Sequence, residues 1–247
     1  MKTIFSLVSS LVLGSLAGAS AQSVFYTPQS RTPLAIATGD PSVWDITVTG
    51  GGIAPGQYDA WCFSPEDAGY GAEDFGQSFE STLITLNGII HYQAEPGVNM
   101  AGAMVNYVFD TYFGFWNESG LPSEQVQERY LGFHHILWEI QRDYHPEIGI
   151  ASFDLLSGDH IGGSSYTKDL ISGDLANVYA GLSPTYTSSQ YDIKVIDGRN
   201  VLKNGAEVGW TLQPLIVVSV IPEPSTLILG GLAAGMLALR RRRGMEG

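Results

Sequence analysis

Cysteine is almost absent from this chain, which has only Cys62 among its 247 residues. A single thiol cannot form an internal disulfide, so the fold must be held together by its hydrophobic core. The surrounding run, residues 57–63, alternates along its length in the manner of a β-strand, and an unpaired cysteine is one of the residue types most often buried. We therefore predict a buried thiol in a strand and keep a reactive thiol as the alternative.

Positive charge is also scarce, with 12 Lys and Arg against 25 Asp and Glu. Only seven of the basic residues but 23 of the acidic ones lie within residues 22–220, so this stretch carries a net charge of −16 with histidine neutral. Such a domain repels nucleic acid and anionic lipid, which excludes them as its partners. The sequence also lacks an internal repeat, which excludes solenoid and array architectures.

The N-terminal segment has the three parts of a secretory signal peptide. Lys2 supplies the positive charge, residues 4–16 form an apolar run, and Ala19-Ser20-Ala21 is a small-residue cleavage pattern. We predict that residues 1–21 form a signal helix that signal peptidase removes, and that the mature chain begins at Gln22.

The C-terminal segment, residues 221–247, has a different three-part order. A Pro222-Glu223-Pro224 turn precedes an apolar run, residues 227–239, and a basic stop made of Arg240, Arg241, Arg242 and Arg243. The run is shorter than the roughly 20 residues of a settled membrane anchor. Arginines at its end stay in the cytoplasm and leave the preceding domain on the other side of the membrane. We therefore predict a short transmembrane helix that anchors the chain transiently.

This order of parts resembles the PEP-CTERM sorting signal of Gram-negative bacteria. The resemblance implies that an exosortase-like enzyme processes the chain near Pro222, Glu223 and Pro224. It also implies inner-membrane anchoring followed by display at the cell surface or release outside the cell.

Residues 22–220 are predicted to form one globular, mainly β domain. The expected strands are short and bounded by turn residues; they cover residues 24–27, 43–49, 81–92, 190–196, 208–213 and 216–220. A helical segment at about residues 98–145 contains two helices with apolar residues at spacings of three and four. This order favours an antiparallel β-sandwich or barrel packed with two helices.

The second helix has a core stripe made of Val126, Tyr130, Phe133, Leu137 and Ile140. One flank of that stripe is polar and is predicted to be solvated; it comprises Glu128, His135, Glu139 and Arg142. His135 and Glu139 lie one turn apart and could bind a cation, but a zinc site normally needs a third ligand. The sequence supplies none at motif spacing, so we predict neither a metal nor a cofactor.

Three segments of the domain, Trp61-Cys62, residues 104–107 and residues 133–140, resemble the thioester-domain group of bacterial surface proteins. In that group a cysteine and a glutamine condense to an internal thioester. The resemblance implies that His134 occupies the place of that glutamine. Imidazole has no acyl carbon for a thiolate to attack, and Gln127 and Gln141 lie two turns away on either side. We therefore expect the scaffold without the crosslinking chemistry.

His134 and Cys62 remain a candidate catalytic pair, because a neighbouring histidine can lower the pKa of a thiol. No local signature indicates an orienting residue or an oxyanion hole. We predict a non-catalytic cell-surface or extracellular-matrix protein that binds exopolysaccharide or another surface protein. The alternative is a covalent adhesin or an enzyme that depends on Cys62.

Overall fold

Six antiparallel strands form the framework of the domain in the computed structural model, which describes residues 22–33, 42–64, 69–114, 121–153 and 166–221. They are β1 (Ser23–Pro33), β2 (Ser42–Gly51), β3 (Gly56–Cys62), β4 (Phe79–Ile84), β5 (Tyr191–Ile196) and β8 (Leu215–Val220). A short hairpin of β6 (Leu202–Lys203) and β7 (Ala206–Glu207) extends from β4. The predicted signal peptide and sorting tail lie outside the described residues.

The six long strands close into a barrel, in the order β1-β2-β3-β8-β5-β4 and back to β1. Closure depends on β1, which pairs with β2 on one edge and, through residues 23–26, with β4 on the other. Of the two predicted architectures the barrel is therefore correct.

Two expected strands are wrong in part or entirely: β4 ends at Ile84, well before residue 92, and residues 208–213 form no strand. Trp210 is 64% exposed and only Leu212 of this stretch is buried, so these residues do not present the continuous apolar face of a barrel strand.

Three helices are described: α1 (Ala101–Tyr112), α2 (Ser123–Arg142) and α3 (Tyr166–Val178). The first two confirm the periodic pattern, and α2 begins directly after Pro122, as the Pro-Ser start predicts. The prediction of only two helices, confined to residues 98–145, was wrong because it missed α3. Two of the four buried residues of α3, Thr167 and Lys168, are polar, so its apolar stripe is too thin to recognise in the sequence.

The core has two layers, one on each side of the barrel wall. Residues such as Tyr26, Trp44 and Ile46 fill the barrel interior. A second cluster, which includes Trp61 and Phe133, fills the space between the barrel and the helices. Because successive strand residues face opposite sides, β3 contributes Ala60 to the first layer and Trp61 to the second.

Within the described ranges, no helix combines the length and the hydropathy needed to cross a membrane. The apolar run at residues 227–239 lies outside those ranges.

Candidate functional site

The end of β3 and the middle of α2 meet at the backbone of Cys62. The His134 Nε2 atom lies 2.5 Å from the Cys62 carbonyl oxygen, and the Trp138 Nε1–H donates to the same oxygen at 3.3 Å. His134 and Trp138 are one helical turn apart and therefore project from the same side of α2. The structure thus brings the two predicted residues together, but through the backbone of the cysteine.

An aromatic cluster surrounds this junction. The Trp61 ring stacks on Tyr130, with 5.4 Å between centroids and 7° between planes. Phe133 meets Trp61 edge-on at 5.5 Å, and the His134 ring lies 5.3 Å from it. The histidine is therefore held rigidly among rings, a position that favours its uncharged form.

Burial lowers the pKa of His134 to about 3, and the hydrogen bond to Cys62 only partly opposes this effect. The imidazole is neutral at physiological pH, with its Nε2–H donated to the carbonyl. Its Nδ1 atom is buried and has no hydrogen-bond partner among the described residues. A neutral ring cannot stabilise a thiolate as an imidazolium does, so this geometry suits a structural tie between strand and helix.

The Cys62 side chain is 2% exposed, as the sequence predicts. Its Sγ atom lies 3.6 Å from the carbonyl oxygen of Ser64. Strand alternation gives it the same orientation as Ala60, which belongs to the core inside the barrel. Of the two glutamines considered as acyl donors, Gln127 is exposed and Gln141 is 8% exposed. Gln141 lines a cavity of about 270 Å³ that also contacts Ser64.

The predicted solvated flank of α2 is wrong at two of its four positions. Glu139 is fully buried and Arg142 is 9% exposed, whereas Glu128 is exposed and His135 is half-buried. The reason is α3, which covers this face and places Lys168 Nζ 3.1 Å from Glu139 Oε1. The carboxyl group of Glu139, a candidate cation ligand in the sequence, is thus engaged by Lys168. In the part of the chain that the structure describes, no three metal-ligating side chains cluster.

Burial raises the pKa of Glu139 to about 8 although Lys168 opposes the shift, and the neighbouring Asp143 adds to it. Sequence reasoning missed Lys168 altogether. The available signal was the spacing of Lys168, Ile171 and Leu175, which places a lysine on the same stripe as two apolar residues.

An open groove of about 950 Å³ runs between α1 and the strand β5. Its lining combines tyrosine rings with amide groups, among them Tyr186, Tyr191, Asn87 and Asn106. Gln22, the first residue of the predicted domain, and Ile221, the residue directly after it, also line the groove.

Asp110 fixes one wall of this groove, since it accepts hydrogen bonds from the Tyr186 hydroxyl at 2.7 Å and the Ser189 amide at 3.2 Å. The Asn106 side-chain oxygen accepts from the Ser188 amide at 2.9 Å. The wall is thus tied to α1 at three points, which gives the groove a preformed shape.

Comparison with known proteins identifies one segment of the chain. Residues 220–243 match the PEP-CTERM protein-sorting motif. The motif implies an exported exosortase substrate that is anchored transiently in the membrane before processing. The matched range contains Pro222, Glu223 and Pro224, together with the arginines from Arg240 to Arg243. No curated protein and no solved structure is significantly similar to the chain, so the resemblance of the middle region to thioester domains gains no support from comparison.

Proposed function

We propose that this chain is a non-catalytic binding protein of the cell surface or extracellular matrix, delivered there through its sorting signal. The match of residues 220–243 to the PEP-CTERM motif carries the proposal. The proposal goes beyond that match in two respects, the final location of the mature domain and its binding role.

The binding role is supported by the groove between α1 and β5. Tyrosine faces and amide groups on a preformed wall suit a ligand that offers both apolar faces and hydroxyl groups, as the sugar rings of an exopolysaccharide do. The domain's charge of −16 favours a neutral partner over an anionic one. A neutral polysaccharide is therefore the preferred ligand class, and another surface protein is the second.

The surroundings of Cys62 support the non-catalytic part of the proposal over the covalent-adhesin or cysteine-enzyme alternative. Its thiol is buried, and the neighbouring His134 is neutral and bonded to a carbonyl. A nucleophilic thiol needs access and a positively charged neighbour, whereas this thiol is buried and its histidine neighbour is uncharged. Rapid modification of Cys62 in the folded protein by a small alkylating reagent would contradict this part.

The sorting role is tested by changing the Pro-Glu-Pro segment in a host that expresses an exosortase. Glu223→Ala is expected to leave the chain uncleaved at its C-terminus and retained in the membrane fraction, because it removes the acidic residue at the expected processing point. The wild-type chain is expected to start near Gln22 and end within residues 222–225, as measured by mass spectrometry of the mature protein.

Glu246→Ala is the matched control, since it removes the same side chain three residues beyond the matched segment. It should be processed as the wild type is. A mature wild-type protein that still carries Arg240 to Arg243 would contradict cleavage and favour a permanent short anchor.

A further inference from the structure

Two oppositely charged side chains meet in the apolar interface between α2 and α3. Lys168 Nζ lies 3.1 Å from Glu139 Oε1, and neither side chain has any exposed surface. Ile136, Ile140 and Ile171, all fully buried, lie within one turn of the pair on the same helices. The two groups are therefore held in direct contact and shielded from water.

A second carboxyl group completes the arrangement. Asp143 lies one helical turn beyond Glu139 and is 4% exposed. Burial raises the pKa of Glu139 to about 8, and the nearby Asp143 carboxyl adds to the shift. The protonated form of Glu139 is therefore favoured.

We propose that Lys168 and Glu139 condense to an ε-(γ-glutamyl)lysine isopeptide bond that joins α2 to α3, with Asp143 as the proton shuttle. The Nζ of Lys168, reacting as the free amine, attacks the carboxyl carbon of protonated Glu139. Asp143 accepts a proton from the attacking nitrogen and returns it to the departing hydroxyl group, which leaves as water. One amine and one carboxylic acid yield one amide and one water, no other reactant is consumed, and Asp143 ends as it began.

The fold provides the close contact between amine and acid that two free side chains in water would not maintain. Both reacting groups are held in contact by packed helices, which replaces a bimolecular encounter with an intramolecular one. The product carries no charge, so the reaction relieves the burial of an amine and an acid in an apolar layer. With a single cysteine, the chain has no internal disulfide, and the amide supplies a covalent link of another kind.

The exposed pair Lys194 and Asp192 provides an internal comparison. Its Nζ and Oδ1 atoms are 3.0 Å apart, but the two side chains are 41% and 52% exposed. Water reaches both groups and competes for the contact between them. The two lysine–carboxyl pairs therefore have nearly the same contact distance but differ in burial. We expect no condensation between Lys194 and Asp192.

The test is peptide mapping of the purified full-length protein by mass spectrometry. We expect a branched tryptic peptide that joins residues of α2 to residues of α3 and weighs about 18 Da less than its two parts together, the mass of one water. Fragmentation should locate the branch at Lys168 and Glu139. Recovery of both residues in separate, unmodified peptides from folded protein would overturn the proposal.

Two variants keep the test decisive. Asp143→Asn retains the pair but not the shuttle, so at an early time after synthesis the fraction of protein that yields the branched peptide should be at least tenfold lower than in the wild type; an unchanged fraction would overturn the role of Asp143. The double variant Glu139→Leu with Lys168→Met replaces the pair by apolar side chains of similar size, which buried sites commonly tolerate. It should fold, as judged by circular dichroism, and lack the branched peptide; a branched peptide that still joins α2 to α3 in this variant would place the link elsewhere and overturn the assignment.

Discussion

At the scale of single residues, His134 gives the junction between barrel and helix a dependence on pH. Its pKa is about 6.5 in an unfolded chain and about 3 in the fold. As the pH falls, the unfolded chain binds the proton first, so the stabilisation is complete above pH 6.5 and is lost progressively as the pH falls toward 3.

We expect the free energy of unfolding of the wild type to fall over this range by about 3 to 5 kcal/mol more than that of His134→Phe. Phenylalanine keeps a ring in the aromatic cluster but has no group to protonate. Urea denaturation at a series of pH values measures the difference. His91→Phe serves as the control because His91 is exposed, and it should retain the wild-type acid response. An equally steep acid response in His134→Phe would mean that other groups cause it.

At the scale of elements, α2 carries a buried face that is wider than its apolar stripe. Leu137 lies in the helix-barrel core with no exposed surface, and Glu139 lies in the interface with α3. Leu137→Ala is expected to cost about 2 to 5 kcal/mol through lost burial and the cavity left behind. Glu139→Ala should cost about 3 to 5 kcal/mol, because it leaves the amine of Lys168 buried opposite an alanine.

Thermal and urea unfolding of the three variants Leu137→Ala, Glu139→Ala and Glu128→Ala distinguish the faces of α2. Glu128 is exposed, so its replacement should change stability by less than about 0.5 kcal/mol. A Glu139→Ala variant as stable as Glu128→Ala would mean that α3 does not cover this side of the helix.

The periodic pattern of α1 and α2 was sufficient to predict both helices from the sequence, because each packs a continuous apolar stripe against the barrel. The polar flank at Glu139 and Arg142 could not be assigned correctly in the same way. Helical spacing indicates which residues share a face, but a charged face is buried when another element supplies its counter-charge. That element, α3, contributes Lys168 from a stripe too polar to stand out, so the interface depends on a pairing between distant segments.

At the scale of the whole molecule, the sequence predicts strands more readily than their arrangement. Residues 43–49 and 216–220 alternate or run apolar as strands do, yet nothing in them distinguishes a sandwich from a closed barrel. The decision lies in β1, whose first residues pair with β2 and β4 at once. Val24 lies opposite Gly51 on one side and Ser81 on the other, so the closure of the barrel can be tested at a single position.

Gly51 ends β2 with φ at +96°, a conformation that favours glycine. A β-carbon there would lie 2.1 Å from the backbone oxygen of Ser23, the first residue of β1. Gly51→Ala is therefore expected to cost about 2 kcal/mol or more, since it combines an unfavourable φ with a backbone clash, and to expose the β1 amides that pair with β2 and β4. Gly50→Ala is the matched control, because a β-carbon at that position meets no atom within 4 Å. Hydrogen exchange of the residues in 23–26 should accelerate in Gly51→Ala alone, whereas equal protection in both variants would show that barrel closure does not depend on this contact.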